Sequence, residues 1–447
     1  MRFTVWNIIT DVGLISLLLM LGVLLRAKIG LLQRSFMPAS IIAGILGLIF
    51  GPNGFSIIPF SDFIGDYPGV LIAVVLAALP MSTLNFKWSE VIDKVGALWS
   101  YSQIIMLLMW GGGLLFALVL LVPIFKVHNG FGLILAAGFV GGHGTAAAVG
   151  NAFAQQGWEE ATSLAMTSAT IGAILSIVVG LALIRSGANK GYANYISSFN
   201  QLPGELKTGL LSKDKRNSMG YDTVSSVSIE SMTFHLALVV FATAIGYYLS
   251  QFGESLYANL AIPAFALSFL VGLIMRQLMQ VANADDYIDK SVMSKISGSA
   301  TDFLVAFGIA SINLTVVANN IVPFTILIIF GLLFCYFFYK VVSKYYFQEN
   351  WFEKGIFTFG WITGAVAMAI ALLRTVDPKL ESNTLDEFGL AYIAIAPVEI
   401  LIITFAPLFI LNDQHWLFTV ITIGACVSIF IFSYYKKWIK FKYKENT

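Results

Sequence analysis

Sixteen residues, Gly138 to Phe153, read GFVGGHGTAAAVGNAF and restrict the rest of the chain more than any other stretch. They sit in a sequence that is 58% hydrophobic and 11% charged, where a soluble domain carries roughly 25% charge. The chain is therefore expected to be an all-α polytopic membrane protein. Gly141, Gly142 and Gly144 leave the backbone bare. Bare backbone at membrane depth persists only inside protein or beside a water-filled cavity. The stretch reads as a helix break where something polar binds. Close helix packing through small residues is the competing reading.

Other classes recede on simple grounds. A net charge of +1 suggests no nucleic-acid partner. Cys335 and Cys426 lie in apolar runs and read as core thiols. The four histidines are scattered singly, without metal-ligand spacing, and no G-x-x-x-x-G-K-[ST] loop occurs. No cofactor is expected, and ATP is not the expected energy source. Residues 1–25 lack the basic start of a cleavable signal. An intramembrane enzyme would need a nucleophile beside His143, and no Ser or Cys partner is evident. A channel is the other remote alternative.

A span needs roughly 20 apolar residues. The sequence offers spans near 7–25, 36–50, 68–84, 98–122, 161–184, 233–251, 259–275, 300–318, 322–340, 389–411 and 416–435. Two further stretches, 131–153 and 355–373, are long enough to cross. Charge decides how to read them. If both enter and leave on one side, and the N-terminus is outside, 24 of the 26 Lys and Arg fall on inside loops. If both cross, 12 do. Basic loops favour the cytoplasm, so both stretches are expected to be re-entrant hairpins. The C-terminus is then cytoplasmic.

The halves echo each other. Met37-Pro38-Ala39 with Gly47-Leu48-Ile49 returns as Ile262-Pro263-Ala264 with Gly272-Leu273-Ile274. Gly113-Leu-Leu-Phe116 returns as Gly331-Leu-Leu-Phe334. Leu164-Ala165 returns as Leu390-Ala391, and the GTAA at 144–147 meets GAVA at 364–367. Five full spans precede the return, so the second half is inverted. The division expected is a first repeat over 1–184, a cytoplasmic linker over 185–231 and a second repeat over 233–411. Residues 412–447 add a span and a basic tail, KKWIKFKYK, able to touch anionic lipid. Inverted repeats with broken helices mark secondary transporters, whose site lies between the repeats. At each hairpin tip the ending arm offers carbonyls suited to Na⁺. The beginning arm offers N–H groups suited to a carboxylate.

GGHGTAAA (141–148), LAMTSATIGAIL (164–175), MPASIIAGILG (37–47) and AYIAIAPVEILI (391–402) resemble segments of the bacterial sodium:glutamate symporter family. The resemblance covers most of 1–411. It implies a homodimeric, Na⁺-coupled carrier of glutamate or a related small dicarboxylate, working by an elevator-like motion. FTFGWITGAVAMAIALLRTVDP (357–378) departs from that family's glycine- and threonine-rich second hairpin, and Glu399 stands where its pattern is apolar or small.

Candidate substrate residues are Gly142, His143, Gly144, Thr145 and Asn151 on the first hairpin, with Thr363, Gly364 and Arg374 on the second. Candidates for ion coupling are Gly141, Thr145, Thr170, Glu399 and Asn313, with Na⁺ the only metal expected. Each has a plainer reading. Thr145 would cap a helix, His143 would satisfy tip backbone, and Asn151 would pack against a span. Arg374 would pair with Asp377 at the rim. Charged groups in spans are costly and usually functional. Glu399 follows Pro397, whose missing N–H frees a carbonyl, and a proton-coupled carrier using Glu399 is the alternative to Na⁺. Asp11 would meet interfacial water, and Asp302 would start a helix.

Overall fold

The computed structural model describes the chain apart from residues 1–3, 35, 83–87, 196–203, 205–207, 217, 257–261, 379 and 441–447. Part of the linker, part of the basic tail and Lys379 therefore lie outside the described residues. The rest is helical, with no strand among the described residues. In chain order the main helices are α1 (Val5–Lys28), α2 (Ala39–Phe50) and α3 (Tyr67–Ser82). Then come α4 (Val95–Phe125), α5 (Leu133–Phe139), α6 (Gly142–Ala154) and α7 (Glu160–Asn189). The later helices are α8 (Ser231–Leu256), α9 (Ala264–Val281), α10 (Lys290–Ala310), α11 (Leu314–Asn319) and α12 (Ile321–Tyr346). The last three are α13 (Trp351–Val376), α14 (Thr384–Leu411) and α15 (His415–Tyr435). Among the described residues nine helices are long and apolar enough to cross a membrane.

Several boundaries differ from the sequence reading. The span expected at 36–50 is a helix of 12 residues, about 18 Å long, short of a hydrocarbon core of about 30 Å; α3 covers Tyr67–Ser82, and 83–84 of its expected span lie outside the described residues. Pro38 fixes the start of α2. The span expected at 300–318 begins earlier, because Asp289 caps α10 by accepting from Val292 N–H at 2.9 Å. Asp302 is therefore an exposed mid-helix residue rather than a helix start. The apolar run at 303–318 hid a break between two helices at 311–313.

The chain packs as two compact units, each drawing on both halves. The first contains α1 up to Val23, α2, α3, α8, α9 and α10. Its helices cross through small residues. A Cβ on Gly47 would lie 2.7 Å from Ala310 Cβ, and Gly272 abuts the Ala77 carbonyl with no room for one. Asp11 is fully buried here, not at an interface with water. It accepts from Ser61 N–H at 2.9 Å and from the Tyr67 hydroxyl at 3.0 Å. That pairing is what a buried carboxylate requires.

The second unit contains α4 to α7 and α11 to α15. Two of its helices carry π turns, α4 at Ala117–Leu121 and α12 at Phe338–Val342. It also holds both stretches expected to be hairpins.

Candidate substrate and ion site

The first stretch breaks where its glycines fall. α5 stops at Phe139 and α6 starts at Gly142. Gly142 has φ +64°, a left-handed conformation that glycine adopts without strain. Run end to end, Gly130 to Phe153 would span about 35 Å of helix. Instead they meet: a Cβ on Gly130 would lie 2.8 Å from the Phe153 ring. His128 stacks on Trp158 at 4.2 Å between centroids and sits edge-on to Phe153 at 5.7 Å. The chain leaves and returns at one aromatic clasp, with its break at the far end.

The second stretch, α13, also breaks. Gly364 (φ −150°, ψ 26°) and Ala365 (φ 65°, ψ 175°) leave the helical region. A Cβ on Gly360 would lie 2.7 Å from the Ala369 Cα. Nine residues of straight helix would separate these by about 13 Å, so the chain folds back at 364–365. Length and hydropathy alone would count α13 as one crossing; the reversal argues otherwise.

One helix supports both. Gly138 and Gly150, from the first stretch, abut α7 at Ser168 and Thr162. On α7, Gly172 abuts the Thr363 carbonyl, Gly180 the Leu372 side chain and Gly187 the Phe352 ring. Ser176 donates to the Gly360 carbonyl at 3.2 Å. This 172/180/187 stripe was readable as small residues at near-heptad spacing. The two breaks touch: a Cβ on Gly142 would lie 3.1 Å from Ala365 Cβ.

No side chain caps the start of α6, so its first N–H groups point from a buried helix end. Thr145 does not cap it; its side chain fills the space over Gly141 instead. His143 is buried and its Nε2 lies 3.2 Å from Thr170 Oγ1. Thr170 donates its hydrogen to the Met166 carbonyl at 2.9 Å, so His143 Nε2–H is the donor of the pair. Thr363 is fully buried and donates to Phe359 O at 2.6 Å.

Glu399 is buried, and its Oε2 accepts from the Tyr392 hydroxyl at 2.9 Å. Tyr392 in turn lies edge-on to Trp361 at 6.3 Å, one turn before the α13 break. The sequence reading missed Tyr392, although 392 and 399 share a helix face at a spacing of seven. It also missed Ala365.

Other candidates lie elsewhere. Asn151 donates to Ala147 O within its own helix. Asn313 is exposed and caps α11 through Oδ1, while its N–H donates to Ser163. Ser163 is about 10 Å along α7 from Thr170. Arg374 is about 15 Å along its arm from Gly364, and donates to Pro378 O at 2.9 Å. Its expected partner Asp377 accepts instead from the N–H groups of Glu381 and Ser382.

Apolar spans around two helices folded back on themselves, with touching breaks and an uncapped helix start, describe a membrane carrier rather than an enzyme. Residues 111–381 match the family model described as sodium/glutamate symporter. The chain belongs to that family and is a Na⁺-coupled transporter. The matched region contains both breaks and stops short of Glu399 and α15. A search of curated proteins returned no match.

Proposed function

We propose that the protein carries glutamate or a related small dicarboxylate into the cell, driven by the Na⁺ gradient. The contact between Gly142 and Ala365 carries this reading. Two broken helices meeting at their tips place a helix start and a helix end side by side. The uncapped start of α6 supplies N–H groups and partial positive charge for a substrate carboxylate. His143, held by Thr170, adds a fixed polar group beside them. The ending arms supply carbonyls for Na⁺, with Gly141, Thr145 and Thr170 close by, and Glu399 joined through Tyr392 to Trp361, one turn before the second break.

In this reading the stretches are re-entrant hairpins from opposite faces, and the halves are inverted repeats. Three paired features support the repeat beyond sequence. Pro38 and Pro263 start α2 and α9 with the same backbone angles (φ −59°, ψ 145° and φ −58°, ψ 142°). The π turns and the breaks recur at nearly the same offset. The hairpin-bearing unit is the moving core of an elevator, the other unit is the scaffold, and the working form is a homodimer.

Proteoliposomes loaded without Na⁺ test this. Labelled glutamate uptake should appear on imposing an inward Na⁺ gradient and be competed by other small dicarboxylates. Uptake driven equally well by a pH gradient in Na⁺-free buffer would reject Na⁺ coupling. It would favour the alternative that the buried Glu399–Tyr392 pair supports, a proton carried on Glu399.

A further inference from the structure

The extra helix α15 packs against α4 and the π segment of α12 and leaves a cavity of about 280 Å³ between them. Its lining is apolar: Tyr101 and Leu108 from α4, Phe338 and Tyr346 from α12, Cys426 and Phe430 from α15. On one side it opens past Val427 and Phe430, which are 52% and 45% exposed. A polar solute gains nothing in such a space. A hydrocarbon chain from the bilayer can fill it without burying a polar group and gains the packing contacts that an empty void forfeits.

The basic end of α15 lies beside it. Lys436 and Lys437 come after Phe430 by about 9–10 Å along the helix, and Lys440 is next; all three are exposed. They are held in place, not trailing. Trp438 occupies the space over Gly96 and meets Trp99 edge-on at 6.4 Å. Lys440 N–H donates to Tyr345 O at 2.9 Å. Lys437 takes φ +58° at the helix end, a position where glycine is the usual residue. The lining segments contain no acid: none occurs in 96–116, 336–348 or 415–440.

We propose that this cavity holds an acyl chain of an anionic phospholipid whose phosphate is met by Lys436, Lys437 and Lys440. The site does not rest on the transport reading, and it uses the one span that lies beyond the repeats. The test is binding of phosphatidylglycerol and phosphatidylcholine to the full chain in detergent, read by native mass spectrometry and thermal shift. Wild-type protein should retain phosphatidylglycerol in preference to phosphatidylcholine, and the preference should fall with salt. K436Q/K437Q/K440Q should weaken phosphatidylglycerol on the order of a hundredfold, about fivefold per lysine. Val427→Trp, at the mouth, should lower retention of both lipids. Equal retention of the two lipids by wild-type protein, or retention insensitive to salt, would overturn the proposal even if both variants failed to fold. So would unchanged phosphatidylglycerol binding in either folded variant.

Discussion

Ala365 is the sharpest place to test the account of the second break. Its φ of 65° and ψ of 175° fall in a region occupied almost only by glycine. Holding a side-chain-bearing residue there costs about 1–3 kcal/mol. Ala365→Gly removes that cost and gives back about 0.4–1 kcal/mol through the freer unfolded chain. The net expectation is a gain of about 0.5–2 kcal/mol. Ala371→Gly, in the regular part of the same arm, should instead lose about 1 kcal/mol. The same chemical change thus has opposite signs six residues apart. At roughly 1 °C per kcal/mol for a chain of 447 residues, the two variants should melt about 1.5–3 °C apart in detergent, with A365G higher. Ala365→Val, β-branched, should melt below wild type. Relaxing the tip should also raise the uptake KM severalfold, because Ala365 touches Gly142. An A365G protein melting at or below A371G would refute the strain argument, and with it the backbone geometry of the break.

The site and its supports yield three further expected outcomes. Glu399→Gln keeps an acceptor for the Tyr392 hydroxyl, so folding should hold within about 1 kcal/mol, while cation-driven uptake falls at least about tenfold; uptake with unchanged Na⁺ dependence would remove Glu399 from coupling. Thr170→Val takes away the acceptor of His143 Nε2–H and should cost about 1 kcal/mol with a raised KM; a wild-type KM would make His143 a packing residue only. Burial holds the His128 imidazole below its ordinary pKa of 6.5, and its Nδ1 accepts from Gly130 N–H at 3.0 Å. The neutral ring therefore stabilises the clasp above pH 6.5, and that contribution is lost as pH falls through the depressed folded value. Melting temperatures across pH 4–8 should fall on the acid side in wild type and flatten in His128→Asn, which keeps an acceptor; identical profiles would show that the clasp does not titrate.

The first break was legible because glycine spelled it out. Three of residues 141–144 are glycine, and such a run in an apolar chain has few uses. The second break was legible through charge on the surrounding loops and through the GAVA echo at 364–367. Its turn is made by Gly364 and Ala365, and alanine does not advertise a left-handed backbone. Arg374 and Asn313 lie away from the breaks, a distance that sequence does not carry: ten residues past a fold-back is the base of an arm, not its tip. Asn313 looked like an ion ligand because Asn caps and Asn ligands use the same oxygen. Boundaries slipped wherever apolar runs continued through a break, as at 311–313.

The pairing of the halves shows which sequence signals bear weight. The matched tripeptides around Pro38 and Pro263 are weak as letters, since apolar chains repeat such letters by chance. They gain force because the same backbone angles start both helices, and because the glycine nine residues on meets a neighbouring helix in both cases, Gly47 at Ala310 and Gly272 at Ala77. The π turns, 117–121 and 338–342, fall at the same offset to within a few residues, and nothing in their letters marks a π turn. A π turn inserts one residue and rotates the helix beyond it by about 100°. One such rotation falls ahead of each broken helix. Local geometry of this kind is independent of the residue matches, so its agreement with their spacing supports the proposed repeat.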